Sequence, residues 1–272
     1  MIAVVLLLIV GGIGLTQAVS DPNQVTLRWL RLGGIIAVCL LAVATTLAFV
    51  TPQPSVSGGR WVGHVVIFVL LIAQLLAVQM GLRTSQRIAA GLGFLGVWLV
   101  VSRLLPEMLG STATTGVPRL PDDANGLDSG MGLVIMTPLS GGLMGGFLMA
   151  MLLGHAYLTA GNEMTQTPFR RLVLMLSALL MMRAVASGWG GAWPCLTVQT
   201  GSGLGHVWTQ VMITARYAVG LVVPGVFVYM IHDCVKRRAN QSATGILYVA
   251  TVLVILGEGI GFALTGSTGY VF

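Results

Sequence analysis

The sequence contains little charge. Only 8% of its 272 residues are Asp, Glu, Lys or Arg, 56% are hydrophobic, and the mean hydropathy is +0.91. Soluble domains usually carry about a quarter of their residues as charged side chains. The composition therefore excludes an ordinary soluble domain and predicts an all-α, polytopic membrane protein.

Cysteine is also scarce. The three cysteines, Cys39, Cys195 and Cys234, form no CxxCH motif for covalent haem and no CxxC pair for zinc or an iron–sulfur cluster. We place them in a span, an outer loop and a cytoplasmic helix end, so we expect no disulfide among them. Any tightly held cofactor is therefore expected to be non-covalent.

The apolar segments predict eight transmembrane helices in a single integral membrane domain, residues 1–272. About twenty residues at roughly 1.5 Å each cross the hydrocarbon layer. The first segment lacks a basic n-region, so we interpret it as a retained helix rather than a signal peptide. The predicted helices cover about residues 1–19, 22–50, 62–82, 88–105, 133–159, 172–187, 207–232 and 243–264, and the outer loop covers 106–131.

The basic residues predict the orientation. They cluster at the ends of apolar segments, which is typical of topology signals and does not indicate a nucleic-acid partner. Alternate connections carry nine of them: Arg28, Arg31, Arg83, Arg87, Arg170, Arg171, Lys236, Arg237 and Arg238. The other side carries only Arg60, Arg103 and Arg119. By the positive-inside rule, both termini are expected outside, in a prokaryotic inner (cytoplasmic) membrane.

Two opposite charges are predicted at matching depth on the last two helices. Arg216 lies twenty residues before Lys236, and Glu258 lies twenty residues after Arg238. Each is therefore about 30 Å from the cytoplasmic boundary. Unpaired charges inside a membrane are costly, so we expect an ion pair or a shared ligand.

Similar depth is predicted for ionisable residues of four helices: His64, Arg103, Arg216 and Glu258. Arg183 is placed nearer the midplane. A quinol headgroup needs hydrogen-bond partners and a proton acceptor, which His64, Tyr217 and Glu258 would supply beside the arginines. Two alternatives stay open, namely an ion pair without turnover and a translocation path.

The four histidines raise the hypothesis of b-type haem. His155 and His232 both lie near the predicted cytoplasmic boundary, so they are candidate ligands of one haem. His64 and His206 match less well, because His206 is predicted roughly 15 Å further out. The alternative is that these histidines are interfacial or structural.

Two patterns predict local helix geometry. The fifth predicted helix carries Gly141, Gly142, Gly145 and Gly146, overlapping GxxxG motifs that permit close approach of a neighbouring helix of this chain or of another subunit. Pro224 is expected to kink the seventh helix, since it removes a hydrogen bond to Gly220.

The closing segment QSATGILYVATVLVILGEGIGFAL follows a basic turn and carries Gly257 and Glu258 late in the helix. Over about sixty residues, this end of the chain resembles the eight-helix quinol-interacting anchor subunits of the polysulfide and dimethyl-sulfoxide reductase type. The first half carries no matching signature. The resemblance implies two helix bundles, a quinol site near the outer face, and soluble redox partners there.

These observations favour an integral membrane subunit of a prokaryotic respiratory or other electron-transfer complex, with an outer-leaflet quinone or b-haem site. The expected partners are the lipid bilayer, other subunits and a periplasmic redox protein. Two alternatives are a transporter or channel lined by buried Arg and Glu residues, and a structural subunit without activity of its own.

Overall fold

The computed structural model describes residues 2–50, 59–112, 130–160, 165–188, 204–268 and 272. Within these ranges the chain forms helices and short turns, with no strand. A π-helical turn, Ala218–Val222, connects two of the helices. The helices are α1 (Ile2–Val19), α2 (Leu27–Val50), α3 (Gly59–Gln79), α4 (Arg83–Thr112), α5 (Gly130–Ala160), α6 (Thr167–Ser187), α7 (Leu204–Tyr217), α8 (Val223–Lys236) and α9 (Asn240–Thr268).

Seven helical segments are long and apolar enough to cross a membrane. They are Ile2–Val19, Leu27–Ala48, Val62–Gln79, Arg83–Leu105, Val134–Thr159, Val207–Lys236 and Asn240–Gly266. Large apolar side chains such as Phe68 and Leu99 are exposed along them, as expected where the surroundings are lipid. The chain is therefore a multi-pass helical membrane protein. Helix α6 is similar in length but contains three arginines, so its composition alone does not mark it as a span.

Several helices extend beyond the apolar segments that predicted them. Helix α4 continues to Thr112 instead of ending at residue 105, and α6 begins at Thr167 instead of 172. Hydropathy detects only the part of a helix that lies in hydrocarbon, whereas backbone hydrogen bonding continues into the interface. Conversely, α2 begins at Leu27 rather than residue 22, because the Thr26 hydroxyl accepts a hydrogen bond from the Trp29 amide (3.3 Å).

Helix α1 lies at the centre of the fold and packs against α2, α4 and α5. It crosses α5 in backbone contact. A Cβ atom on Gly12 would lie 1.8 Å from the Gly141 carbonyl oxygen, and one on Gly145 would lie 2.4 Å from the Gly12 carbonyl carbon. The predicted close approach at the GxxxG motifs is confirmed, since only glycine on both helices permits this distance.

The second pair of glycines also contacts a different helix. A Cβ on Gly146 would lie 2.7 Å from a Leu176 methyl group of α6, and one on Gly142 would lie 3.1 Å from Leu15 of α1 and 3.2 Å from Leu179 of α6. The motifs therefore face two neighbours, α1 and α6, rather than one. Both neighbours belong to this chain, so these glycines do not form a face between subunits.

The irregularity predicted at Pro224 is a π-helical turn. It covers Ala218–Val222, just before the proline in α8. Proline lacks the N–H that a regular helix would bond to Gly220, and a wider turn accommodates that loss. Helices α7 and α8 nevertheless continue as one apolar span, Val207–Lys236.

Candidate functional site

Three charged side chains meet inside the protein. Arg183 of α6, Arg216 of α7 and Glu258 of α9 are 1%, 0% and 1% exposed. Helix α9 contacts α7, the π-helical turn, α8 and α5, and α6 contacts α5 and α8. We call these three residues the charged triad.

Arg183 binds both oxygens of the Glu258 carboxylate. Its Nη2 lies 2.9 Å from Oε2, and its Nε lies 3.2 Å from Oε2 and 3.3 Å from Oε1. The remaining nitrogen, Nη1, donates to the Ser187 hydroxyl at 2.9 Å. This side-on geometry fixes the guanidinium plane more firmly than a single contact would.

Arg216 completes the triad from the other side. Its Nη2 lies 2.9 Å from Glu258 Oε1, so the pairing predicted from depth is confirmed. Both carboxylate oxygens are therefore engaged by guanidinium groups. In contrast, Nε and Nη1 of Arg216 have no hydrogen-bond partner among the described residues.

Glycines make the space that the Arg216 side chain occupies. A Cβ on Gly220 would lie 2.7 Å from Nη1, and one on Gly261 would lie 2.9 Å from Nε. Gly257 and Gly220 touch through their backbones, since a Cβ on Gly257 would lie 2.2 Å from the Gly220 Cα. The π-helical turn thus brings α9 close enough for Glu258 to reach Arg216.

Further polar groups surround the triad. The Phe272 carbonyl accepts a hydrogen bond from Arg183 Nη2 at 2.5 Å, and the Tyr217 hydroxyl donates to the Ser187 carbonyl at 2.8 Å. Ser140 of α5 lies beside the Glu258 carboxylate. Helix α5 therefore borders the triad, in addition to the three helices that carry its charges.

Two arginines share one carboxylate within the triad. A buried charge is stabilised when an anion or oriented dipoles face it. The backbone oxygen of Phe272 also faces Arg183 Nη2, and the two N–H-bearing nitrogens of Arg216 without a partner among the described residues remain able to donate.

Two other predicted site residues lie on α3 and α4, helices that carry none of the triad's charges. His64 is buried on α3, which packs against α2 and α4, and Arg103 is exposed on α4. Arg183 was predicted nearer the midplane but shares the Glu258 carboxylate. A ruler along the helix axis ignores helix tilt and the reach of a long side chain, and this explains the difference.

The candidate haem ligands lie on two different helices. His155 is exposed on α5 and His232 is half-buried on α8, and α6 contacts both of these helices. The side chain of His206 and most of the predicted outer loop, 106–131, lie outside the described residues. Within the described ranges, no group of three or more His, Cys, Asp or Glu side chains is arranged to hold a metal ion.

Sequence reasoning missed Ser187 and the glycines around Arg216. The spacing of residues in the sequence could have identified both. Ser187 lies four residues after Arg183, the spacing at which side chains of one helix meet. Gly257 and Gly261 form a small-xxx-small pattern around Glu258, which is typical of close helix contacts in membranes. The Phe272 carbonyl carried no such signal.

Comparisons with known proteins give no family for this chain. No family model, curated protein or solved structure matches it.

Proposed function

We propose that this chain is an integral membrane subunit of a prokaryotic respiratory or other electron-transfer complex, and that a quinone headgroup binds beside the charged triad. The resemblance of the last two helices to quinol-interacting anchor subunits motivates the electron-transfer role. The observation that carries the proposed site is that Nε and Nη1 of Arg216, a guanidinium paired with Glu258, have no hydrogen-bond partner among the described residues.

The chemistry of the site suits a quinone oxygen. Quinone carbonyls accept hydrogen bonds, and reduction places negative charge on them, which a fixed guanidinium stabilises. Glu258 positions the two arginines, since both of its oxygens are already hydrogen-bonded. Tyr217, anchored to the Ser187 carbonyl, lies next to Arg216 in sequence and completes the proposed site.

The proposed topology has eight spans with both termini outside. Helix α6, added to the seven apolar segments, brings the number of spans to eight. Arg170 and Arg171 lie at its start, and Arg183 is paired with Glu258. Nine basic residues then fall on the cytoplasmic side, and the triad lies toward the outer leaflet. A periplasmic redox protein would approach the triad from that side.

A structural membrane subunit is the second candidate. It is favoured by the close packing at Arg216, whose Nε and Nη1 lie against the backbones of Gly261 and Gly220. In that case, the triad holds α6, α7 and α9 together and takes part in no reaction. Buried polar groups in other proteins fix the register of packed helices.

Quinone content separates the two candidates. The protein would be purified with its partners in mild detergent, the partners identified by mass spectrometry, and bound quinone quantified after extraction. We expect near-stoichiometric quinone together with redox subunits. Arg216→Lys should lower quinone content several-fold while retaining folded protein, because lysine keeps the charge opposite Glu258 but lacks the guanidinium donors.

The matched control is Arg237→Lys, at an exposed position at the end of α8 and outside the predicted site. It should leave quinone content unchanged. Equal quinone in the wild type and Arg216→Lys would disprove the proposed site. Stable partner subunits without quinone would support the structural candidate instead.

A further inference from the structure

Three glutamines outside the triad are buried on helices α1, α3 and α4. Gln17 of α1, Gln74 of α3 and Gln86 of α4 are 0%, 1% and 0% exposed. Glutamine rarely lies buried unless its amide is hydrogen-bonded. We call these three residues the glutamine cluster.

Part of this cluster is bonded. Gln17 Nε2 donates to the Leu30 carbonyl of α2 at 3.0 Å, and Gln74 Nε2 donates to Gln17 Oε1. These bonds link α1, α2 and α3. The Gln17 side chain fits because Gly33 faces it, where a Cβ would lie 2.3 Å from Nε2.

The rest of the cluster is open. Gln74 Oε1 and both Gln86 side-chain atoms, Nε2 and Oε1, have no partner among the described residues. Exchanging the oxygen and nitrogen of Gln86 does not change this, because neither atom is bonded. Two acceptors and one amide donor are therefore buried with unmet hydrogen-bonding capacity.

Gln86 lies on the side of α4 that faces the end of α1. The next residue, Arg87, donates through Nε to the Ala18 carbonyl at 2.5 Å. One helical turn further on, the Ala90 carbonyl faces Gly14, where a Cβ would lie 2.8 Å away. Gln86 lies four residues before Ala90, so both lie on the same face of α4. We infer that Gln86 approaches the turn of α1 that carries Gln17.

The cluster is also close to the helix ends. Gln17 lies two residues before Val19, the last residue of α1, and Gln86 lies three residues after Arg83, the first of α4. These separations correspond to about 3 and 5 Å along the helix axes. Gln17 and Gln86 are therefore within one helical turn of the basic end of the bundle, where the helices meet water.

We propose that the glutamine cluster is a buried water site, in which one or more water molecules bridge Gln74 and Gln86 and connect α3 and α4 to α1. Water both donates and accepts, so it satisfies two open carbonyl oxygens and an open amide group together.

The test is the thermal stability of the full chain in mild detergent. Gln86→Met keeps the length of the side chain and removes its hydrogen bonds. The midpoint temperature of thermal unfolding should therefore fall by at least about 2 °C. The matched control is Gln79→Met, at an exposed position on α3, which should not shift it. An unchanged or raised midpoint for Gln86→Met would overturn the proposal, since replacing an unsolvated amide by methionine relieves a cost.

A high-resolution density map of the wild-type protein provides an independent measurement, which also decides the matter if Gln86→Met fails to fold. We expect density of water size within hydrogen-bond distance of Gln86 Nε2 and Gln74 Oε1. A site without density, or one filled by a larger molecule, would refute the water site.

Discussion

The charged triad and the glutamine cluster are two buried polar sites that use the same scaffold helix. Ser140 of α5 lies beside Glu258, and Met149 of α5 lies beside Gly33 and Gln17. These two α5 residues are nine positions apart, which is about 13–14 Å along the helix. In the triad both carboxylate oxygens are bonded and two nitrogens of Arg216 lack a partner among the described residues, whereas in the glutamine cluster Gln86 has no bonded side-chain atom there at all.

The difference follows from the cost of burying each kind of group. An unpaired charge in hydrocarbon costs far more than an unpaired amide. Opposite charges must therefore meet directly, and their meeting constrains the helices. Neutral amides tolerate a looser arrangement, which a small mobile molecule such as water can complete.

Glu258→Gln should give the largest loss. It leaves two buried guanidinium groups facing a neutral amide, and removing one partner of a buried ion pair costs about 3–5 kcal/mol. We expect little folded protein by size-exclusion chromatography in mild detergent. Asp233→Asn, in the exposed pair with Arg237, is the control. Wild-type yield for Glu258→Gln would show that another anion neutralises the arginines.

Removing one arginine should cost less, and the two arginines should differ. Either change leaves a neutral Arg–Glu pair. Arg183 hydrogen-bonds to Glu258, Ser187, Met136 and Phe272, whereas Arg216 hydrogen-bonds only to Glu258 among the described residues. We expect Arg183→Met to destabilise more than Arg216→Met, which loses one charged hydrogen bond of about 1.5–3 kcal/mol. Equal melting temperatures would contradict the asymmetry of the triad.

Gly12→Ala should disturb both polar sites at once. Its methyl group would collide with the Gly141 carbonyl, separating α1, which carries Gln17, from α5, which carries Ser140. Overpacking typically costs about 1–3 kcal/mol. The control is Gly93→Ala on α4, where a Cβ meets nothing within 4 Å. Thermal unfolding checks both variants, and an unshifted midpoint for Gly12→Ala would argue against the tight crossing.

Gln17→Met should have a smaller effect. It removes the bonds to the Leu30 carbonyl and from Gln74, and side-chain hydrogen bonds in membrane proteins average about 0.6 kcal/mol each. We expect a loss of about 1 kcal/mol in unfolding titrations. A loss as large as that of Glu258→Gln would mean that neutral and charged sites are equally critical.

Arg237→Gln should have no measurable effect on the melting temperature. Arg237 pairs with Asp233 at 2.9 Å, but the two side chains are 74% and 48% exposed. Exposed ion pairs contribute little because water and salt screen them. A clear shift in the midpoint would show that surface charge, and not only burial, controls the stability of this protein.

The sequence predicted much of the helical framework and one pair of the site. The apolar segments were located by hydropathy, and Arg216 and Glu258 were matched by counting residues from the basic cluster. Arg183 was not assigned to this pair, because its position depends on how α6 tilts toward α9. The glutamine cluster was not predicted, since neutral amides give no depth signal and no charge that must find a partner.

The sequence alone determined that this chain crosses a membrane several times, that its helices approach closely at glycines, and that Arg216 and Glu258 lie at one depth. These properties follow from composition and spacing along single helices. Only the tertiary structure decided that two arginines share Glu258, that α1 is central, and that Gln74 donates to Gln17. Such contacts depend on the rotation and tilt of one helix against another, which the order of residues along a single helix does not specify.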